Sequence, residues 1–314
     1  MNGNGRWGIT ARVSGRGIET LRIFPHPEER GEPEPTCHVA LRKWGRLDLV
    51  TSCFGMAAEA LPVGVLKGAH DFAAICELVE THRLERPAGT VEVFEGDPCG
   101  QVYFVVSGWL AASKAMADGH RQIVDIVLAG GMLDPASAGC DRSTVEVESL
   151  TRAVLVALPR ESWFRLLGLH PGLRQALLCE RTAVVSRLSA RMLRLGKGSA
   201  ENRVAYALCE LCLRSSGAGL EEHRPYHIPM NQPLLGDFCG LSSVHVCRTL
   251  RRLETQGIIE RSHQMDIVIR DLCALAEIAQ VDPETMQREI LPATDPELWH
   301  AFAGSQPARR CASG

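Results

Sequence analysis

Between Arg86 and Leu158 the apolar positions fall into short β-type runs: Val91-Glu92-Val93, Val102-Tyr103-Phe104-Val105-Val106, Ile123-Val124-Asp125-Ile126-Val127, Thr144-Val145-Glu146-Val147 and Val154-Leu155-Val156. Such short, β-branched runs read as strands rather than helices. Turn signals separate the early ones at Gly96-Asp97-Pro98, Ser107-Gly108, Asp118-Gly119 and Gly130-Gly131, and their spacing of 11 or 12 residues fits hairpins of a sandwich or barrel. A compact antiparallel jelly roll is the simplest closure.

After His170-Pro171-Gly172 the period becomes helical. Leu173, Leu177, Val184, Leu188, Met192 and Leu195 share one stripe, with Arg174, Arg181, Arg187 and Arg194 mostly off it. This predicts one long amphipathic helix whose stripe either lies on the barrel or pairs with its copy in a second chain. Gly196-Lys197-Gly198 ends it and forms a natural hinge, and Ser199 is placed to cap a following helix, Ala200 to Arg214.

A helix, a glycine turn and a second helix come next. Asn231 suits the N-cap of a short helix whose inward face is Leu234, Leu235 and Phe238, with Pro233 harmless in its first turn. Gly240 breaks that helix, Leu241 packs back, and Ser242 caps the second, whose core stripe is Val246, Leu250 and Leu253. The opposite stripe carries Ser243, Val244, Cys247, Arg248 and Arg251, an exposed face beginning at the helix N-terminus of the kind that enters a major groove. Arg248 is the expected main reader, since arginine bonds guanine O6 and N7 bidentately; Ser243 reaches a base or phosphate and Val244 a thymine methyl. Ser242, His245, Arg251 and Arg252 suit phosphates. Gly257 stops the helix, and Ile258-Ile259 with Asp266-Ile267-Val268-Ile269 form a hairpin around Ser262 to Met265, a wing whose Arg261 and His263 are placed for the DNA backbone. The pattern from Asn231 to Ile269 therefore predicts a winged helix-turn-helix that binds duplex DNA; a tri-helical packing module with a solvated basic face is the plainer alternative.

Composition refines this picture at a few points. The net charge of −3 over 314 residues supplies no global attraction to nucleic acid, so contact must come from a local basic patch. The first 62 residues lack a sustained period, and Pro25 to Pro35 is a low-complexity polar run expected to be disordered. Gly3-x-Gly5-x-x-Gly8 matches a dinucleotide fingerprint only literally, for no strand precedes it and no apolar helix follows. With neither a membrane span nor a secretory leader in evidence, the cytoplasm is the expected location. Twelve cysteines in a chain this long are too dilute for a disulfide scaffold, and most are expected to be reduced.

At this point the chain resembles the Crp/Fnr family of regulators over about Asp71 to Ala279. The resemblance is carried by Pro87-Ala88-Gly89-Thr90, by Glu95-Gly96-Asp97-Pro98 followed by Val102 to Gly108, and by Gly240-Leu241-Ser242-Ser243-Val244-His245-Val246-Cys247-Arg248-Thr249-Leu250. It implies an α+β protein with a cyclic-nucleotide-binding-like jelly-roll sensor domain over 66–170, a dimerisation helix over 171–196 and a winged helix-turn-helix domain over 197–280; composition adds a disordered extension over 1–65, and 281–314 is left as a tail. It also implies that Ser243, Val244 and Arg248 face bases and that a homodimer offers two reading helices to an inverted repeat. Val244 stands where the family often has a glutamate, so an altered target is implied. The expected partners are double-stranded DNA, a second copy of the chain and RNA polymerase, with no membrane.

The input is harder to read, and the effector and any cofactor stay unassigned. Family members that bind cyclic AMP use a Gly-Glu element and an Arg-Ser/Thr pair. Here Gly131-Met132-Leu133-Asp134-Pro135 replaces the first, and Arg142-Ser143 is about one residue out of register, which favours an ordinary solvated arginine. Cys37, Cys53, Cys76 and Cys99 are too widely spaced for the tight N-terminal cluster of iron–sulfur members. Cys99 and Cys140 are candidates for a thiol switch, although no cationic neighbour lowers their pKa in the sequence, and His82 and His120 are the nearest candidates for haem. Cys209-x-x-Cys212 with His223-x-x-x-His227 approaches a zinc-finger pattern, but the cysteines sit in an apolar helix and Ser215 to Gly219 is a loop where a finger needs its helix. A jelly-roll metal enzyme is the alternative of a different class; it needs clustered histidines, and Arg86 to Leu158 holds His120 alone. A non-DNA interaction module is the other.

Overall fold

The computed structural model describes residues 7–14, 17–25, 72–136, 141–216, 226–262 and 266–291. The chain falls into two units, 1–43 and 44–314. In the first, β1 (Trp7–Ser14) and β2 (Gly17–Pro25) pair antiparallel, with Ile9 opposite Ile23, Ala11 opposite Leu21 and Val13 opposite Ile18. This corrects the expectation of a disordered extension over 7–25. The cause is a period-2 alternation, Trp7, Ile9, Ala11 and Val13 against Gly8, Thr10 and Arg12, sitting inside a Gly- and Arg-rich composition. The polar run after Pro25 lies outside the described residues.

The described part of the second unit opens with α1 (Phe72–Thr81) and eight strands: β3 (Arg83–Arg86), β4 (Val91–Val93), β5 (Gln101–Ser107), β6 (Leu110–Ala115), β7 (Arg121–Val127), β8 (Met132–Leu133), β9 (Glu146–Ser149) and β10 (Ala153–Pro159). They form two antiparallel four-stranded sheets, ordered β3-β10-β5-β8 and β4-β9-β6-β7. Val93, Tyr103, Val105, Leu110, Val127, Val147 and Leu155 from both sheets make one buried cluster between them. All five predicted runs lie in or overlap strands, and Gly96, Gly108, Gly119 and Gly130 each have positive φ at the turns. β3, β6 and β8 were not expected. β6 reads Leu-Ala-Ala-Ser-Lys-Ala, which lacks β-branched residues, yet it is paired on both sides by β7 and β9.

β5 is buried on both faces because helices cover its outer side. α2 (Arg160–Leu169) packs there, Trp163 meeting Phe104 edge to face at 5.1 Å between ring centroids. The outer face of the other sheet is covered by the C-terminal helices: Ala111, Ile123, Ile126, Leu128 and Leu150 belong to the same buried cluster as Val204, Leu208, Leu235, Phe238 and Leu250. The outer face of this sheet and the C-terminal domain thus share a core distinct from the one inside the barrel. Gly198, expected in a hinge, is hemmed in: a Cβ there would stand 2.7 Å from Asn202 Oδ1 and 2.9 Å from Arg194 O.

α3 (Pro171–Lys197) is the predicted long helix, but its faces are not those of an ordinary surface helix. Leu173 is buried, whereas Leu178, Val185, Leu188, Met192 and Leu195 are exposed, Met192 by 71%. Arg187 is 1% exposed and Arg191 8%. The predicted stripe divides: Leu173 is buried and Leu177 and Val184 are half-buried, whereas Leu188, Met192 and Leu195 are exposed on a face they share with Leu178 and Val185, which the prediction did not include. Ser199 accepts the Asn202 N–H at 3.1 Å and opens α4 (Ala200–Ser216). Beyond the helix-turn-helix, α7 (Leu272–Ala279) is followed by α8 (Pro283–Ile290), capped by Asp282 and anchored by buried Met286 and Ile290. Reading 281–314 as a tail is therefore corrected at Pro283–Ile290: Pro in the first turn and the Asp282 cap are helix-start signals.

Candidate nucleic-acid interface

Asn231 accepts the Leu234 N–H at 2.9 Å and starts α5 (Gln232–Cys239), which buries Leu235 and Phe238. Gly240 ends it at φ 63°, a left-handed conformation that costs glycine little. Gly236 serves a second purpose, since a Cβ there would lie 2.6 Å from Leu241 O; the turn can close on α5 only without a side chain. α6 (Ser243–Thr255) then buries Val246, Leu250 and Leu253, the predicted core stripe, together with Thr249. Burial of that stripe turns the opposite one outward. Ser243, Val244, Arg248, Arg251 and Arg252 are all exposed on α6, Val244 by 66%.

Several expected backbone contacts are already engaged. Ser242 occupies the N-cap position of α6 but makes no capping bond; its hydroxyl is 2.8 Å from His245 Nδ1 instead. Arg252 pairs with Glu201 of α4 at 3.1 Å while remaining 67% exposed. The wing consists of β12 (Ile259–Ser262) and β13 (Asp266–Ile269), and β11 (Tyr226–Ile228) adds a third strand that the sequence did not announce. Arg261 on β12 donates through Nε to Glu254 Oε2 at 3.0 Å, and that hydrogen bond holds the Glu254 carboxyl below its ordinary pKa. A phosphate must compete with these two carboxylates. Glu201 and Glu254 were missed because both partners are remote or across a turn, where spacing carries no signal. His263 lies outside the described residues.

The effector candidates are also tied up within the fold. Arg142 is exposed and donates to Gly96 O at 2.7 Å, while Ser143 is buried with its hydroxyl 2.5 Å from Val145 O. Asp134 pairs with Arg160 at 3.2 Å. Cys99 is buried in the barrel, donating to Gln101 O at 3.5 Å; Cys37, Cys53 and Cys140 lie outside the described residues. His82 Nδ1 is 2.8 Å from Leu78 O, and His120 is exposed beside Asp118. Cys209 and Cys212 point into the core from α4, where burial pushes the Cys209 thiol well above its ordinary value, and His227 pairs with Asp266 at 2.8 Å.

Two family models match in the order the fold presents them: a cyclic nucleotide-binding domain over residues 83–170 and a Crp-like helix-turn-helix domain over 202–278. The nitrogen fixation regulation protein FixK of Azorhizobium caulinodans is 31% identical over 188 residues, which span 60% of this chain and 75% of that protein. The chain belongs to the Crp/Fnr family. The transcriptional activator protein FnrL of Cereibacter sphaeroides is 24% identical over 200 residues, covering 63% of this chain and 80% of FnrL. Among solved structures, FixK2 from Bradyrhizobium japonicum aligns at a TM-score of 0.56 with 26% identity, covering 64% of this chain and 98% of that one. A CooA mutant from Carboxydothermus hydrogenoformans aligns at 0.54 with 14% identity, a likeness of fold alone. This Crp/Fnr member is thus a DNA-binding transcriptional regulator with a jelly-roll domain and a C-terminal helix-turn-helix. Among the described residues, no helix is long and apolar enough to cross a membrane.

Proposed function

We propose that the protein acts in the cytoplasm as a homodimer that reads an inverted repeat in a promoter and there meets RNA polymerase. The exposed face of α6 carries this reading. Ser243, Val244 and Arg248 meet bases; Ser242, His245, Arg251 and Arg252 meet the flanking phosphates; Arg261 and His263 on the wing meet the neighbouring backbone. Val244 offers a methyl contact where an acidic residue would accept from cytosine, so the preferred site differs at that step. Dimerisation is supported by α3. Leu178, Val185, Leu188, Met192 and Leu195 are exposed at intervals of seven, three, four and three residues, the a/d seam of a coiled coil. Burying one such side chain contributes about 1.5–3 kcal/mol. Two reading helices on a two-fold axis then match half-sites about 34 Å apart.

The testing experiment is titration of a duplex from the protein's own promoter region with wild type and Arg248→Ala. The expected result is a loss confined to the specific site, with little change on random duplex. Equal binding by the two proteins contradicts the assignment.

A further inference from the structure

Arg187, Arg191 and Arg194 follow one another on the inner face of α3, and each grips a different part of the C-terminal domain. Arg187 Nη1 donates to Ile290 O at the end of α8, 2.8 Å away. The Arg191 guanidinium lies 4.8 Å from the ring centroid of Phe238 in α5. That of Arg194 lies 3.7 Å from the ring centroid of Tyr206 in α4, and Arg194 Nη2 donates to Ala279 O of α7 at 3.3 Å.

Among the described residues, the barrel meets this row with one carboxylate, Asp125 on β7. Arg191 Nη2 is 3.1 Å from Asp125 Oδ1, Arg214 Nη1 of α4 is 3.5 Å from the same oxygen, and Arg187 Nη2 is 3.8 Å from Oδ2. Arg191 and Arg214 also donate to the carbonyls on either side, Val124 O at 2.7 Å and Ile126 O at 2.5 Å. Glu180 pairs with Arg187 at 2.9 Å, and Glu210 with Arg214 at 3.1 Å and Arg191 at 3.3 Å. Three guanidiniums therefore face three carboxylates, with every side chain 13% exposed or less. Burial pushes the Asp125 pKa up, and Arg214, Arg191 and Arg187 more than reverse this, leaving it below the ordinary value.

We propose that Asp125 is a positioning residue, the latch by which β7 of the barrel fixes the DNA-binding domain against α3. A displacement of β7 away from α3 and α4 parts Asp125 from three arginines at once. With every side chain of the cluster 13% exposed or less, little solvent is at hand to replace the lost partner, so the pairs depend on one another. Glu180 is half-buried in the same cluster but lies on α3 itself, where it pairs with Arg187 of the same helix. The two carboxylates therefore separate latching from mere charge balance. The inference is independent of which bases α6 reads.

The test is hydrogen exchange on the full-length protein as wild type, Asp125→Asn, Glu180→Gln and Asp125→Asn with Arg214→Met. In Asp125→Asn, amides of α5 and α8 are expected to exchange at least tenfold faster while those of β5 and β10 keep wild-type rates; Glu180→Gln leaves α5 and α8 protected. Affinity for the promoter duplex moves at least fivefold in the two variants that lack Asp125 and stays at the wild-type value in Glu180→Gln. Uniformly faster exchange in barrel and helices, or equal behaviour of the two single variants, overturns the proposal. If Asp125→Asn fails to fold, the double variant restores charge balance and carries the test. It is expected to keep β5 and β10 protected while α5 and α8 open, and wild-type protection in α5 and α8 overturns the latch.

Discussion

α6 and α3 are both amphipathic helices rich in arginine, yet they use their two faces in opposite ways. α6 buries Val246, Leu250 and Leu253 and exposes Arg248, Arg251 and Arg252, as a surface helix should. α3 buries Arg187 and Arg191 and exposes Leu188, Met192 and Leu193. A buried arginine is tolerable only with partners, and α3 has them in Asp125, Glu180, Glu210 and the Ile290 carbonyl. An exposed apolar stripe invites a partner, and heptad spacing suits a seam with another helix, which supports the proposed homodimer. The difference teaches that the outward face of each helix is where its proposed partner would sit: DNA on the basic face of α6, a second chain on the apolar face of α3.

The comparison is broken most severely by replacing the α3 stripe. Leu188→Glu with Met192→Glu is expected to give a folded monomer and to weaken specific DNA binding by roughly a hundredfold or more, because two linked half-site contacts become one. Fluorescence anisotropy on a palindromic duplex checks it. Arg248→Ala comes next: loss of a bidentate guanine contact costs about 1–3 kcal/mol, or roughly five- to 150-fold, on the specific site. Arg251→Ala is expected instead to weaken all sequences alike and to lower the salt slope of binding by about one.

A smaller effect, confined to acid, sharpens the buried side of the contrast. The Asp125 pKa is lower in the folded protein than in the unfolded chain, so the carboxylate stabilises the fold above about pH 4, the unfolded value, and this is lost as pH falls through the folded one. Urea unfolding at successive pH values should show a smaller acid loss in Asp125→Asn than in wild type, the remainder coming from other carboxyls held below their ordinary pKa, such as Glu254. The smallest effects separate the two caps of the helix-turn-helix. Asn231→Ala is expected to cost about 1 kcal/mol, whereas Ser242→Ala, which removes no capping bond, should fall within about 0.5 kcal/mol in thermal unfolding.

What could be read in the sequence were features written in local period. The β runs between glycine turns, the long helix, and the Asn231, Gly240, Val246 and Leu250 pattern all follow from spacing and from turn and cap chemistry. The alanine-rich strand β6 escaped because its partners, not its composition, make it a strand. Helix α8 escaped because its apolar anchors, Met286 and Ile290, are few and its short length gives little period. Arg187 and Arg191 escaped for a deeper reason. Their burial depends on Asp125, more than sixty residues earlier, and no local pattern encodes a pairing of that range. For the same reason Arg252 and Arg261 were legible as basic residues beside the DNA face but not as partners of Glu201 and Glu254.

The central claim, that an exposed apolar face on α3 brings two α6 reading faces together, is tested most directly by the solution mass of the full-length chain. Light scattering at micromolar concentration is predicted to give twice 34.3 kDa for wild type and 34.3 kDa for the Leu188→Glu, Met192→Glu variant. A wild-type mass of one chain, in the free protein and on its duplex alike, would contradict the account.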